Sequence, residues 1–251
     1  MRWIRYTAAA TTAYGVLEGE TIREVRGTPF SDHERTGKTH KLADVKIELP
    51  VVPPTFYGVG FNYTDHIRKV AARTGNPPDI PTQPDVGYRA NNGLIAHGET
   101  VIIPKDATDA VQYEGELVVV IGKKAKHVLE ADALSCVLGY TVGNDVSERS
   151  WQKSDRTLWR AKNTDTFNPM GPWIETDVML DKLETRVSVN GKESIRFKTN
   201  DMLFGVERYI ATITRYIDQR NEHPTPFVWT ATVRQILTKV NKANKTLATL
   251  H

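Results

Sequence analysis

Two glutamates one residue apart, Glu114 and Glu116 in VQYEGELVVVIG, and an aspartate further on, Asp145 in GYTVGNDVSER, are the residues best placed to do chemistry. The run from Gln112 to Ile121 alternates and is rich in β-branched residues, so it reads as a strand whose positions i and i+2 share a face. Both carboxylates then point one way. Asp145 follows a second apolar run, VLGYTVGN, which can end as a strand beside the first and bring a third carboxylate to the same mouth. Like charges converging in a partly dry site repel strongly, so such a cluster persists only if a carboxyl is protonated or a divalent cation sits among them. Oxygen-only ligation favours magnesium or manganese, and with no Cys or His nearby in sequence zinc fits poorly. For an E-x-E pair taken alone, the alternative reading is an ordinary solvated acidic strand face.

The elements that must hold these groups follow from pattern. Residues 1–52 alternate short apolar runs with turns and read as a small β-rich N-terminal region, closed by Val51-Val52-Pro53-Pro54. Residues 53–217 read as the main domain. There an extended TFYGVG opens through FN into a short helix carrying Tyr63, His66 and Lys69, and a proline-rich loop, GNPPDIPTQPDVGY, follows. Strands predominate from Asn91 to Ile174, interrupted by the polar, helix-capable stretch SERSWQKSDRTLWRAK. VSVNGKESI carries an Asn-Gly hairpin signal, and a helix is expected from Asn200 to Ile217. Residues 218–251 form a third segment of different character.

Composition excludes several function classes. The 251 residues suffice for a real core, and a net charge of +3 gives no ground for a nucleic-acid partner. The single cysteine, Cys136 in ALSCVLGY, rules out an intrachain disulfide and reads as a buried reduced thiol. No apolar run approaches a membrane span and the N-terminus lacks the apolar length of a signal sequence, so a cytoplasmic protein is expected. KKAKH at 123–127 reads as a basic turn, and GVGFNY lacks the third glycine of a dinucleotide fingerprint.

The segments FYGVGFNYTDH, YEGELVVVIGKKAK, GYTVGNDVSERSWQ and AKNTDTFNPMGPWI, in this order over roughly residues 51–217, resemble the fumarylacetoacetate hydrolase family. The resemblance implies a mostly β fold with few helices (α+β), the β-clip or mixed β-roll, commonly as a homodimer. It implies Mg2+ or Mn2+, with Ca2+ also possible, held by Glu114, Glu116 and Asp145. It further implies substrate contacts from Arg149, Gln152 and Tyr63, and catalytic roles for His66 and for Lys162, which would neutralise developing negative charge. The implied substrates are small 2-oxo or 2-hydroxydienoic diacids, converted through a metal-stabilised enolate. Isomerisation, as in the 2-hydroxyhepta-2,4-diene-1,7-dioate isomerases of aromatic-compound catabolism, C–C hydrolysis and decarboxylation all remain open.

The pattern departs from the family twice. Hydrolytic relatives often pair the helix histidine with a glutamate three residues on, which orients the imidazole and raises its basicity. Here that position is Lys69, a cation that lowers the pKa of His66 and cannot accept its N–H, which disfavours hydrolysis. The family's closing Pro-Gly-Asp turn, strand and Gly-Thr-rich loop are also absent. In their place YIDQRNEHPTPFVWTATVRQILTKVNKANK resembles the C-terminal end of insertion-sequence transposases. Truncated C-terminal strands replaced by a helix near 231–248 are therefore expected, without sequence-specific nucleic-acid binding. The alternative to an active enzyme is an impaired product of a gene disrupted by an insertion sequence.

Overall fold

The computed structural model describes residues 1–222 together with Thr232, Arg234 and Thr238. The chain divides into a unit Met1–Arg215, which holds the carboxylate site, and a unit Tyr216–His251. Of the helix expected near 231–248 only Arg234 and Thr238, with Thr232 beside them, are described, and most of the transposase-like segment lies outside the described residues.

The N-terminal strands β1 (Arg2–Ala8), β2 (Thr11–Glu18), β3 (Thr21–Gly27) and β4 (His33–Lys41) form a meander, with β5 (Lys46–Ile47) returning to pair with β1. Next come β6 (Phe56–Gly60), α1 (Thr64–Thr74), β7 (Asp85–Arg89) and β8 (Leu94–Ile95). The central strands are β9 (Val111–Gln112), β10 (Gly115–Ile121), β11 (Val137–Asn144) and β12 (Ser147–Glu148). The short helices α2 (Arg149–Gln152) and α3 (Trp159–Asn163) follow, then β13 (Asn168–Glu175), the hairpin β14 (Glu184–Val189) and β15 (Lys192–Lys198), and α4 (Val206–Glu222). The main sheet runs β10-β11-β13-β1-β2-β3-β4, antiparallel throughout except where β8 joins β13. This is the mostly β architecture with few helices that the sequence led us to expect.

Side-chain alternation explains why β1 sits in the middle of that sheet. Trp3 and Ile4 are adjacent and so point to opposite faces, yet both are buried. Trp3 packs with Val16, Val25, Val120 and Ile174, while Ile4 packs with Tyr6, Leu17 and Ile22. The register Trp3↔Ile174 joins the N-terminal meander to the strands that carry the carboxylates. A third cluster, Ala133, Val206 and Ile210, anchors α4.

Local signals mostly hold. Asn190 and Gly191 both have positive φ, the two-residue turn that matches strand twist, and they join β14 to β15 as expected. Helix α1 ends at Gly75, whose φ of 72° is a left-handed cap. The expected single strand from Gln112 to Ile121 is corrected. It breaks at Tyr113–Glu114, because β9 pairs with β12 while β10 pairs with β11. The helix expected from Asn200 instead starts at Val206, after a 3-10 turn at Thr199–Asp201.

Glu148 fixes the start of α2. Its carboxylate is covered from solvent and accepts from the Trp151 N–H, from Ser150 Oγ at 2.7 Å and from Thr108 Oγ1. Burial works to raise its pKa, but the Thr108 hydroxyl, the Trp151 N–H and Ser150 outweigh burial and hold it below the ordinary 4.5. A depressed carboxyl pKa contributes stability above the unfolded value that is lost as pH falls through the folded one. Glu148→Ala is therefore expected to cost about 2 kcal/mol at neutral pH in urea denaturation, through the lost cap and the stranded donors. The gap between variant and wild type should narrow as the pH drops below 4.5.

Candidate metal centre

Backbone hydrogen bonds bring the three acids together. Strand β10 pairs with β11 in the register Gly115↔Asn144 and Glu116↔Gly143. One step further, the Asp145 N–H donates to the Glu114 carbonyl at 3.0 Å, and the Glu114 N–H donates to Asn144 Oδ1 at 2.9 Å. Ligand oxygens of Glu114, Glu116 and Asp145 consequently lie within 4.8 Å of one another. Gly115 separates the glutamates because Val187 of β14 packs there. A Cβ at 115 would approach Val187 Cγ2 to 2.4 Å.

Three cations converge on these acids, each from a different element. Lys162 of α3, with its side chain only 7% exposed, donates through Nζ to Glu114 Oε2 at 2.6 Å and to Asp145 Oδ2 at 2.7 Å. Helix α3 is held for this purpose by Asp155, whose carboxylate accepts from the N–H groups of Arg160 and Ala161. Arg149 of α2 pairs with Glu114 Oε1 and is itself held by Gln152 Oε1 and Gln112 Oε1, both at 2.9 Å. Arg89 of β7 grips Asp145 at two points, Nε to Oδ1 at 3.2 Å and Nη2 to Oδ2 at 2.9 Å.

Glu116 is the exception. Among the described residues no hydrogen bond reaches its carboxylate, and the residue is half-buried. Burial first, then the charges of Glu114 and Asp145, push its pKa up from 4.5 to about 8, against the weaker pull of Lys162 and Arg89. Asp145 goes the other way. Burial would raise it, but the Arg89 hydrogen bonds and the Lys162 charge hold it below the ordinary value of 3.8. An all-oxygen donor set with one carboxylate lacking any partner fits a hard divalent cation, which would supply the charge that Glu116 is missing.

Other expected residues surround this cluster. Tyr63 precedes α1, its ring edge-on to Phe197 at 4.7 Å, and burial followed by the Glu116 charge raises its phenol pKa. His66 is exposed along one side of α1 yet crowded enough that burial lowers its pKa from 6.5; Glu114 opposes the shift, while Arg149, Arg73 and Lys69 add to it. Lys69 acts in the expected direction, though less than burial does. The sequence reading missed Arg89, because GYR carries no motif and its partner lies 56 residues away. Pairing Gly58 with Gly87 across β6 and β7 is the only hint of a crowded spot there.

Residues 55–221 match the family described as Fumarylacetoacetate (FAA) hydrolase C-terminal, and residues 1–50 match the Rv2993c-like N-terminal family. Protein Rv2993c of Mycobacterium tuberculosis is 36% identical over 224 residues, covering 85% of this chain and 82% of that protein. The crystal structure of 5-carboxymethyl-2-hydroxymuconate delta-isomerase from Mycobacterium smegmatis superposes with a TM-score of 0.77 at 34% identity, covering 85% of this chain and 82% of that one. A 2,4-didehydro-3-deoxy-L-rhamnonate hydrolase from Sphingomonas sp. is 40% identical over 163 residues, covering 63% of this chain and 55% of that protein. The chain belongs to the fumarylacetoacetate hydrolase family.

Because Glu116 holds its proton more tightly in the folded chain than in the unfolded one, its contribution to stability is full below 4.5 and is lost as pH rises through about 8. A divalent ion such as Mn2+ entering this centre would have to displace that proton. Calorimetric titration at pH 7 in buffers of differing ionisation enthalpy should show about one proton released per ion bound, falling towards zero above the Glu116 pKa. Glu116→Gln should remove the release.

Proposed function

We propose that this chain is a divalent-metal-dependent enzyme using Mg2+ or Mn2+ to convert small 2-oxo or 2-hydroxydienoic diacids. Members of its family act as isomerases, tautomerases or hydrolases. The observation that carries the reading is the convergence of Glu114, Glu116 and Asp145, with Glu116 left without a hydrogen-bonding partner among the described residues. A bound divalent cation supplies Lewis-acid polarisation of the 2-oxo group. The residues 53–217 are the catalytic domain on this reading, preceded by the β-rich region 1–52 and followed by an appended segment, 218–251. A cytoplasmic homodimer without a nucleic-acid role completes the proposal. Among the described residues no helix is long and apolar enough to cross a membrane.

The chain's own groups divide the work. Arg149, braced by Gln152 and Gln112, offers a guanidinium for a substrate carboxylate. Lys162 Nζ stands between Glu114 and Asp145, where it can offset negative charge developing on a substrate oxygen. Tyr63, its proton retained by burial and by Glu116, is a hydrogen-bond donor to substrate. His66, neutral at pH 7, can accept a proton from the carbon next to the 2-oxo group. Returning a proton to another carbon of the conjugated chain completes an isomerisation, with no water consumed.

Isomerisation is favoured over C–C hydrolysis because no acceptor stands at position 69 to orient His66 towards water. The structural relative at 34% identity is itself named as a delta-isomerase.

Proton NMR of a 2-oxo or 2-hydroxydienoic diacid incubated with the Mn2+-loaded protein separates the outcomes. Isomerisation moves signals at constant carbon count, whereas cleavage yields two fragments. Glu116→Ala should abolish metal-dependent turnover, and unchanged turnover would sink the metal assignment. His66→Asn should lower kcat by about 10²- to 10⁴-fold while Mn2+ binding persists. For the wild type, protonation of His66 should depress turnover only below pH 6.5.

A further inference from the structure

Ribbon β6–β7 has two unlike faces. In the register Phe56↔Arg89, Tyr57↔Tyr88, Gly58↔Gly87, Val59↔Val86, one face carries Tyr57, Val59, Val86 and Tyr88. The other carries Phe56, Gly58, Gly60, Asp85, Gly87 and Arg89. The Arg89 guanidinium lies across Gly58, where a Cβ would approach Cζ to 2.5 Å, Nη2 to 2.7 Å and Nε to 2.9 Å. Gly58 is not among the glycines with positive φ, so backbone conformation does not require a glycine there; the guanidinium does.

What the guanidinium reaches is one of the three acids. Its side chain is 6% exposed and its fork spans both oxygens of Asp145. Among the described residues Oδ2 receives two donors, Arg89 Nη2 and Lys162 Nζ, whereas Oδ1 receives only Arg89 Nε at 3.2 Å. A fork held at two points stops the carboxylate rotating and leaves Oδ1 the freer acceptor. The next residue, Ala90, donates its N–H to Asn163 Oδ1 at 2.6 Å, tying the end of β7 to the helix that bears Lys162.

We propose that Arg89 is a positioning residue that locks Asp145, and so makes the carboxylate centre discriminate among divalent cations by size, with Gly58 supplying the space that admits it. The inference rests on the metal centre proposed above. Two effects of Arg89 oppose one another, since its positive charge repels any cation while its fork orients a ligand. The ratio of affinities for two divalent ions separates them. Repulsion acts almost equally on Mn2+ and Ca2+, and so largely cancels. Orientation does not, because Ca2+ accepts longer and more irregular oxygen shells than the smaller ions.

The experiment is calorimetric titration of the full chain with Mn2+ and with Ca2+, for wild type, R89A, R89K and G58A. In wild type Mn2+ should bind more tightly than Ca2+. In R89A the Ca2+/Mn2+ ratio of Kd values should fall by about tenfold, the scale on which residues supporting metal ligands act. R89K keeps the charge but not the fork, and should fall similarly. G58A displaces the guanidinium while leaving every charge in place, and should also fall; in an R89A background it should change the ratio no further. A ratio unchanged in R89A and G58A, or fully restored by R89K, would overturn the proposal. If R89A fails to fold, R89K and G58A decide. Wild type that binds neither ion sinks the metal centre and this inference together, whereas normal binding with unaltered ratios in the variants sinks this inference alone.

Discussion

Mutual repulsion of Glu114, Glu116 and Asp145 is the constraint around which the rest of this unit is arranged. Their oxygens lie within 4.8 Å of one another in a half-buried site, where Coulomb energies are several times those in water. The fold answers with cations from three separate elements: Arg89 from β7, Lys162 from α3 and Arg149 from α2. Two acids are thereby satisfied and Glu116 is not, which concentrates the remaining electrostatic strain on one carboxyl. Buried ion pairs of this kind contribute little net stability, because desolvation offsets attraction. Their value lies in orientation.

That arrangement explains otherwise odd features of the chain. Strand continuity is given up at Tyr113–Glu114 so that β9 can pair with β12, directly before the helix that presents Arg149. Helices α2 and α3 are too short to be stable by propensity, and carboxylate caps hold them, Glu148 on one and Asp155 on the other. Glycines stand where strands and side chains crowd the acids, at 115 against Val187 and at 58 beneath Arg89. The N-terminal meander shares the sheet through β1 and β13, so the floor under the acids extends well beyond the segments that carry them.

Much of this was legible in the sequence. Alternation and β-branched residues identified the carboxylate strand, Asn190-Gly191 identified the separate β14–β15 hairpin, and spacing set Glu114 and Glu116 on one face, since these depend on neighbours within a few residues. The effect of Lys69 on His66 was likewise local. The ordering of causes was not, because burial, which lowers His66 most, is a property of packing. The break in the strand escaped notice because two alternative partners, β11 and β12, compete for one run of β-formers, and only the assembled sheet shows how the run is shared.

By itself the sequence determined the family, the mostly β character and the three acids, because each is written in residue type, order and short-range spacing. Tertiary structure alone decided how those acids are neutralised. Arg89 lies 56 residues from Asp145 and Lys162 lies 48 from Glu114, and a charge carries no label of its partner along the chain. Only the assembled sheet, with the β6–β7 ribbon and the capped helices set against it, fixes which cation meets which oxygen, and so leaves Glu116 as the acid without a mate among the described residues.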